Sequence, residues 1–135
     1  MAYYFTREEA EALLPDVSVV LRRIQATSRE IQTLEESLNG LRMQSLNNGH
    51  HLQDRIVHVQ RDLAMHLQAL QADISELQSL GCELKDPELG LVDFLSQRDD
   101  HEIYLCWHLG EDRIRYWHEL DGGFAGRRPL DDDEE

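Results

Sequence analysis

Lysine is almost missing from this chain: Lys85 is the single lysine among 13 basic residues, set against 27 acids and a formal charge of -14. A chain of that sign offers no cationic face to a phosphate backbone, which excludes nucleic acid as a partner. Cysteine is scarce too, and Cys82 and Cys106 alone do not make a disulfide framework, as befits a reducing cytoplasm. No stretch of about 18 apolar residues occurs. Met1–Thr6 has no basic segment leading into an apolar one, so the chain reads as neither membrane-spanning nor secreted, and its expected location is cytoplasmic. The glycine-rich loops that cradle nucleotide phosphates are absent, as are paired-cysteine and zinc-protease helix motifs. Gly/Ser or Pro-rich linkers and internal repeats are lacking as well.

What remains is enough for one globular domain, with 41% hydrophobic and 7% aromatic residues. The patterning divides it at residue 80, giving a helical hairpin over 1–80 and a loop with a β-meander over 81–130. The acidic run 131–135 reads as a disordered, solvated tail, and the body is acidic without it.

Thr6 and Glu9 stand at capping-box spacing with Phe5 and Ala10 at the staple positions, so a short helix starts here. Pro15 is expected to kink or restart it. Val17, Val20, Ile24, Thr27, Ile31, Leu34, Leu38 and Leu41 then recur at steps of three and four, a coiled-coil seam. Ser45–Gly49 carries the turn chemistry that reverses the chain. A second helix follows with Leu52, Ile56, Val59, Leu63, Leu67, Leu70, Ile74 and Leu77, its step lengthened to four between Leu63 and Leu67. Each helix is about 45 Å long at 1.5 Å per residue, and such a thin hairpin needs the C-terminal half or a second copy against its seam.

After Gly81 the period changes to two. Cys82–Gly90 reads as a loop, Leu91–Leu95 as a strand, and Glu102–Leu109 with Asp112–Leu120 as a hairpin closed by a two-residue turn at Gly110-Glu111. That turn sets Trp107 against Ile114, Leu105 against Tyr116 and Ile103 against His118 on the buried face. The other face then holds Tyr104 against Trp117 and Cys106 against Arg115, where a guanidinium would favour thiolate, the other reading being an inert, half-buried cysteine. The fold class is therefore α+β: a long antiparallel helical hairpin, preceded by a short helix and packed with a three-stranded antiparallel sheet.

The residues Gly81-Cys82, Lys85-Asp86, Gly90–Phe94, Leu105–Trp107, Gly110-Glu111, Trp117-His118, Gly123-Phe124, Gly126-Arg127 and Pro129-Leu130, in this order, resemble a bacterial family catalogued as domain of unknown function 2203. The opening Phe5–Pro15 carries the resemblance into the helical half. It implies a soluble cytoplasmic protein of uncharacterised activity.

Two functional readings follow. The first is a homodimeric protein–protein interaction or assembly module, joined through the heptad seam and not an enzyme. The second is a metal- or small-ligand-binding protein, with an enzyme as one form of it, built around the C-terminal hairpin. Its candidate ligand-binding residues are Asp86, Asp93, Cys106, Trp107, Glu111, Trp117 and His118. Asp54, His58, Asp62 and His66 alternate carboxylate and imidazole at i, i+4 down one stripe of the second helix, a weaker metal candidate. No cofactor is required by either half. Arg113, Arg115, Arg127 and Arg128 form an anion site or offset nearby acids.

Overall fold

The structure, a computed structural model, describes residues 3–130, so the acidic run lies outside the described residues. The elements are α1 (Arg7–Asn48), a 3-10 turn (Gly49–Leu52), α2 (Gln53–Ser79), and five strands: β1 (Cys82–Asp86), β2 (Leu91–Arg98), β3 (His101–His108), β4 (Tyr116–Glu119) and β5 (Arg128–Pro129). The class is α+β. None of the helices is long and apolar enough to cross a membrane among these residues.

Two expectations about the helices need correcting. The capping box forms, with Thr6 N–H donating to Glu9 Oε1 at 2.9 Å and Glu9 N–H to Thr6 Oγ1 at 3.0 Å. The helix it starts is not short, however: α1 runs unbroken through Pro15 for 42 residues. Leu14, Val17, Val20, Leu21 and Ile24 are all buried on either side of the proline, and that burial outweighs the lost helical hydrogen bond. The reversal also comes later than Ser45, because α1 continues to Asn48.

Contacts divide the chain into two compact units, one of residues 1–22 and 74–135 and one of Arg23–Asp73. In the second, α1 and α2 run back along each other. Leu38 and Leu41 form one cluster with Leu52 and Ile56, joined by Val59 and Leu63, and Arg23 meets Asp73 at 3.4 Å.

The first unit contains the sheet, which is antiparallel throughout in the order β1-β2-β3-β4-β5. It has five strands where the sequence pattern suggested three. Cys82–Asp86, read as loop, pairs with β2 up to a bulge between Leu84 and Asp86. Strand β2 extends to Arg98, and the turn to β3 consists of Asp99 and Asp100 alone, at φ 51° and 66°. Two consecutive aspartates in the left-handed region cost about 1–3 kcal/mol each. At Gly81 the glycine is obligatory twice over: φ is 108°, and an added Cβ would sit 2.4 Å from the Phe5 ring. That ring in turn stacks edge-on against Phe94 at 5.3 Å.

The expected register of β3 on β4 is off by one. Leu105 faces Trp117 and Cys106 faces Tyr116, not Arg115. The two-residue turn does not form; the connection runs from Leu109 to Arg115. Ile114 is fully buried, and its N–H donates to Glu11 Oε2 on α1 at 2.8 Å, so this segment leaves the ladder to join the core. A slip of one residue moves every side chain of a strand to the other face. Accordingly His118 does not face Ile103; it pairs with Tyr104. Cys82, Phe94, Leu105 and Trp117 make one row across the sheet, and Glu83, Asp93, Cys106 and Tyr116 make the adjacent row on the opposite face.

Candidate metal centre

The second row is the one with chemistry in it. Asp93 on β2 and Cys106 on β3 are direct cross-strand partners. The corrected register places His118 of β4 diagonally beside them. A carboxylate oxygen of Asp93, Cys106 Sγ and a ring nitrogen of His118 lie within 4.8 Å of one another. All three residues are buried, at 2%, 0% and 2% exposure respectively.

The histidine's tautomer follows from its partners. Nδ1 lies 2.6 Å from the Glu119 carbonyl oxygen, which only accepts, so Nδ1 carries a proton and donates it there. Nε2 is then aimed at Asp93 Oδ2, 3.0 Å away. Histidine and aspartate share one proton across that contact. Asp93 Oδ1, equally buried, has no hydrogen-bond partner. Burial pushes the Asp93 carboxyl above the usual carboxylate range, and the opposing influences of His118 and then of the Cys106 thiol only partly offset it. The Cys106 thiol stands beside Asp93 as a weak donor.

Cys106 has a different neighbour from the one expected, and of its two readings the inert one fits its surroundings. With Tyr116 rather than Arg115 opposite, burial pushes the thiol up to about 12, and the nearby Asp93 charge acts in the same direction against Arg127. By itself it is a protonated, inert thiol.

Aromatic rings flank the centre. The Tyr104 ring lies 5.5 Å from that of His118. Its hydroxyl donates to Glu83 at 2.7 Å, a bond that, with burial, pushes the phenol up to about 12. Lys85 sits 4.9 Å above the same ring. On the other side the Arg127 guanidinium lies 4.0 Å over Tyr116 and bonds Glu111 at 2.9 Å. Sequence reasoning had no role for Tyr104 or Tyr116 here, because the register it assumed placed them beside other partners. The signal that locates them is Ile114, an apolar residue among charges whose burial lengthens the connection.

The other candidates do not join this site. Asp86 Oδ1 accepts the N–H groups of Glu88 and Leu89 at 2.9 and 3.2 Å and shapes a turn. Trp107 donates its indole N–H to the Glu111 carbonyl at 3.0 Å, and both belong to the far end of β3. Trp117 is on the opposite face, with Arg98 and Arg128 stacked on it at 4.6 and 5.2 Å. Arg113, Arg115 and Arg127 pair with Glu11, Asp112 and Glu111.

On α2, His58 Nε2 is 3.5 Å from Asp62 Oδ2 with both side chains solvated, and His66 Nδ1 is bonded to the Asp62 backbone carbonyl. Among the described residues, the stripe does not gather three ligand atoms; Asp93, Cys106 and His118 do.

No curated protein and no solved structure matches this sequence. The model of one family, described as "Uncharacterized conserved protein (DUF2203)", matches residues 3–130. That match takes in both helices and the entire sheet, Asp93, Cys106 and His118 included, and the chain belongs to the DUF2203 family.

Proposed function

We propose that this chain is a metal-binding protein that holds one divalent cation of the zinc type between Asp93, Cys106 and His118. The observation that supports it is the orientation of His118. Its Nδ1–H is spent on a backbone carbonyl, which leaves Nε2 directed at the Asp93 carboxylate, the arrangement that fixes metal-ligating histidines elsewhere. One sulfur, one nitrogen and one oxygen suit a borderline-soft ion. Ligand atoms around tetrahedral zinc are about 3.3–3.8 Å apart, given bonds of 2.0–2.3 Å. Donors already within 4.8 Å reach that spacing by side-chain adjustment. Three protein ligands leave a fourth position for water or a small ligand.

The ion replaces the proton shared by Asp93 and His118 and the proton of the Cys106 thiol. Titrating chelator-treated protein with Zn2+ in weak buffer should therefore release about two protons per ion and saturate at one ion per chain. Cobalt(II) should give thiolate-to-metal absorption, lost in Cys106→Ser and kept in Cys82→Ser. Metal titrations without proton release, without that absorption and without a rise in unfolding temperature would overturn the proposal.

A second reading, the homodimeric assembly module, draws support from Leu67. This seam residue, at the lengthened step of α2, is 47% exposed, whereas Ile31, Leu38, Leu41, Leu52 and Ile56 are buried by their own chain. A second copy covering Leu67 should give a light-scattering mass near twice 15.7 kDa, falling to the single-chain value in Leu67→Asp. A single-chain mass for the unmodified protein at every concentration removes this reading.

A further inference from the structure

Asp93, Cys106 and His118 are all buried, yet the side chains around them are not held with equal firmness. Two tyrosines wall the centre along its face of the sheet. Tyr104 stands two residues before Cys106 on β3 and pairs with His118, while Tyr116 on β4 pairs with Cys106 itself.

The Tyr116 wall is clamped. The Arg127 guanidinium lies 4.0 Å over its ring, and one of its nitrogens bonds both Glu111 carboxylate oxygens, at 2.9 and 3.0 Å, and reaches the Cys106 carbonyl at 3.5 Å. With the Arg127 and Glu111 side chains only 13% and 14% exposed, these charge-assisted bonds are sheltered from water.

The Tyr104 wall is held from the solvent side. Its hydroxyl donates to Glu83 Oε2 at 2.7 Å, and Lys85 Nζ donates to Glu83 Oε1 at 3.1 Å while sitting 4.9 Å over the ring. The Glu83 and Lys85 side chains are 52% and 36% exposed, and an ion pair in that setting contributes little. Both belong to β1, the edge strand, where the bulge between Leu84 and Asp86 leaves Lys85 without a partner in the ladder. The weaker fastening is therefore on this side.

We propose that Tyr104 is the gate of the buried centre: its ring swings out when the Glu83 and Lys85 latch releases, and the ion enters and leaves there while the Tyr116 wall stays in place. The gate rests on the metal reading for what passes through it, but its opening can be measured with no ion present.

Cys106 reports the opening, and Cys82, equally buried in the row on the opposite face, is the internal control. Tyr104→Phe keeps the ring and loses the bond to Glu83. In chelator-treated protein it should raise the rate at which N-ethylmaleimide labels Cys106 about tenfold, equivalent to about 1.4 kcal/mol, and leave the Cys82 rate unchanged. Zinc uptake and its removal by excess chelator should both quicken in the variant by a similar factor, with the affinity unaltered. An unchanged Cys106 rate, a rise shared with Cys82, or zinc exchange no faster than in the unmodified protein overturns the gate. Faster labelling of Cys106 alone, in a protein that takes up no zinc, supports the opening and overturns the metal reading instead.

Discussion

Asp93→Ala should lower the unfolding free energy by about 3–5 kcal/mol, the usual result of removing one member of a buried ionic pair. The reason lies with what stays behind. His118 Nε2 is aimed at Asp93 Oδ2 in a site 2% exposed, and a methyl group there leaves that nitrogen buried without its partner, while Nδ1 keeps its bond to the Glu119 carbonyl. Asp93→Asn should cost much less, because an amide N–H donates to a neutral Nε2 and preserves the contact. Replacing both residues with leucine should recover most of the loss, as two apolar side chains need nothing from each other. Urea midpoints of the four proteins give the comparison directly. A loss within about 1 kcal/mol for Asp93→Ala would show that the pair is solvated after all.

The second large effect is alkaline. Cys82 and Cys106 are both pushed up to about 12, in each case chiefly by burial. In the unfolded chain thiols ionise near 8.5, roughly where free cysteine does. The folded form is therefore the one that retains protons as pH rises. Stability from this source is complete below about pH 8.5 and drains away towards 12, at about 1.4 kcal/mol per pH unit for each thiol. Between pH 9 and 10.5 the two together should remove about 4 kcal/mol. Tyr104, also pushed up to about 12 by its bond to Glu83, adds to the decline above pH 10 or so. Denaturant titrations at pH 7.5, 9 and 10.5 measure the slope, which Cys82→Ala should reduce by half. Bound zinc should have a similar effect through Cys106, since a metal-held thiolate has no proton left to lose.

The parts of this fold that read directly from sequence are those fixed locally. Thr6 and Glu9 need only each other, and the cap forms as their spacing implies. The seam residues Ile31, Leu38, Leu41, Leu52 and Ile56 reveal themselves by period and are buried. What resisted reading was set at a distance. Pro15 signals a helix break, yet buried neighbours carry α1 past it. Cys82–Asp86 has loop punctuation but is held as a strand by its partner β2. Gly110-Glu111 has the chemistry of a tight hairpin, and the burial of Ile114 overrides it.

That last override decided the legibility of the site. Asp93, Cys106 and His118 are recognisable as chemically capable residues from sequence alone. Their convergence depends on a register that no short-range pattern contains. With Ile103 opposite His118 the histidine belongs to the core face and the three never meet; with Tyr104 opposite, they do.

The bond between Glu11 and the Ile114 amide spans 103 positions along the chain. It is one of the contacts that give the sheet its alignment, and its carboxylate leaves the ribosome 103 residues before the amide it meets. A growing chain therefore carries one half of the alignment signal through that long stretch of synthesis before the other half exists. Folding that hinges on so distant a closure is governed by topology rather than by local propensity, and is correspondingly slow.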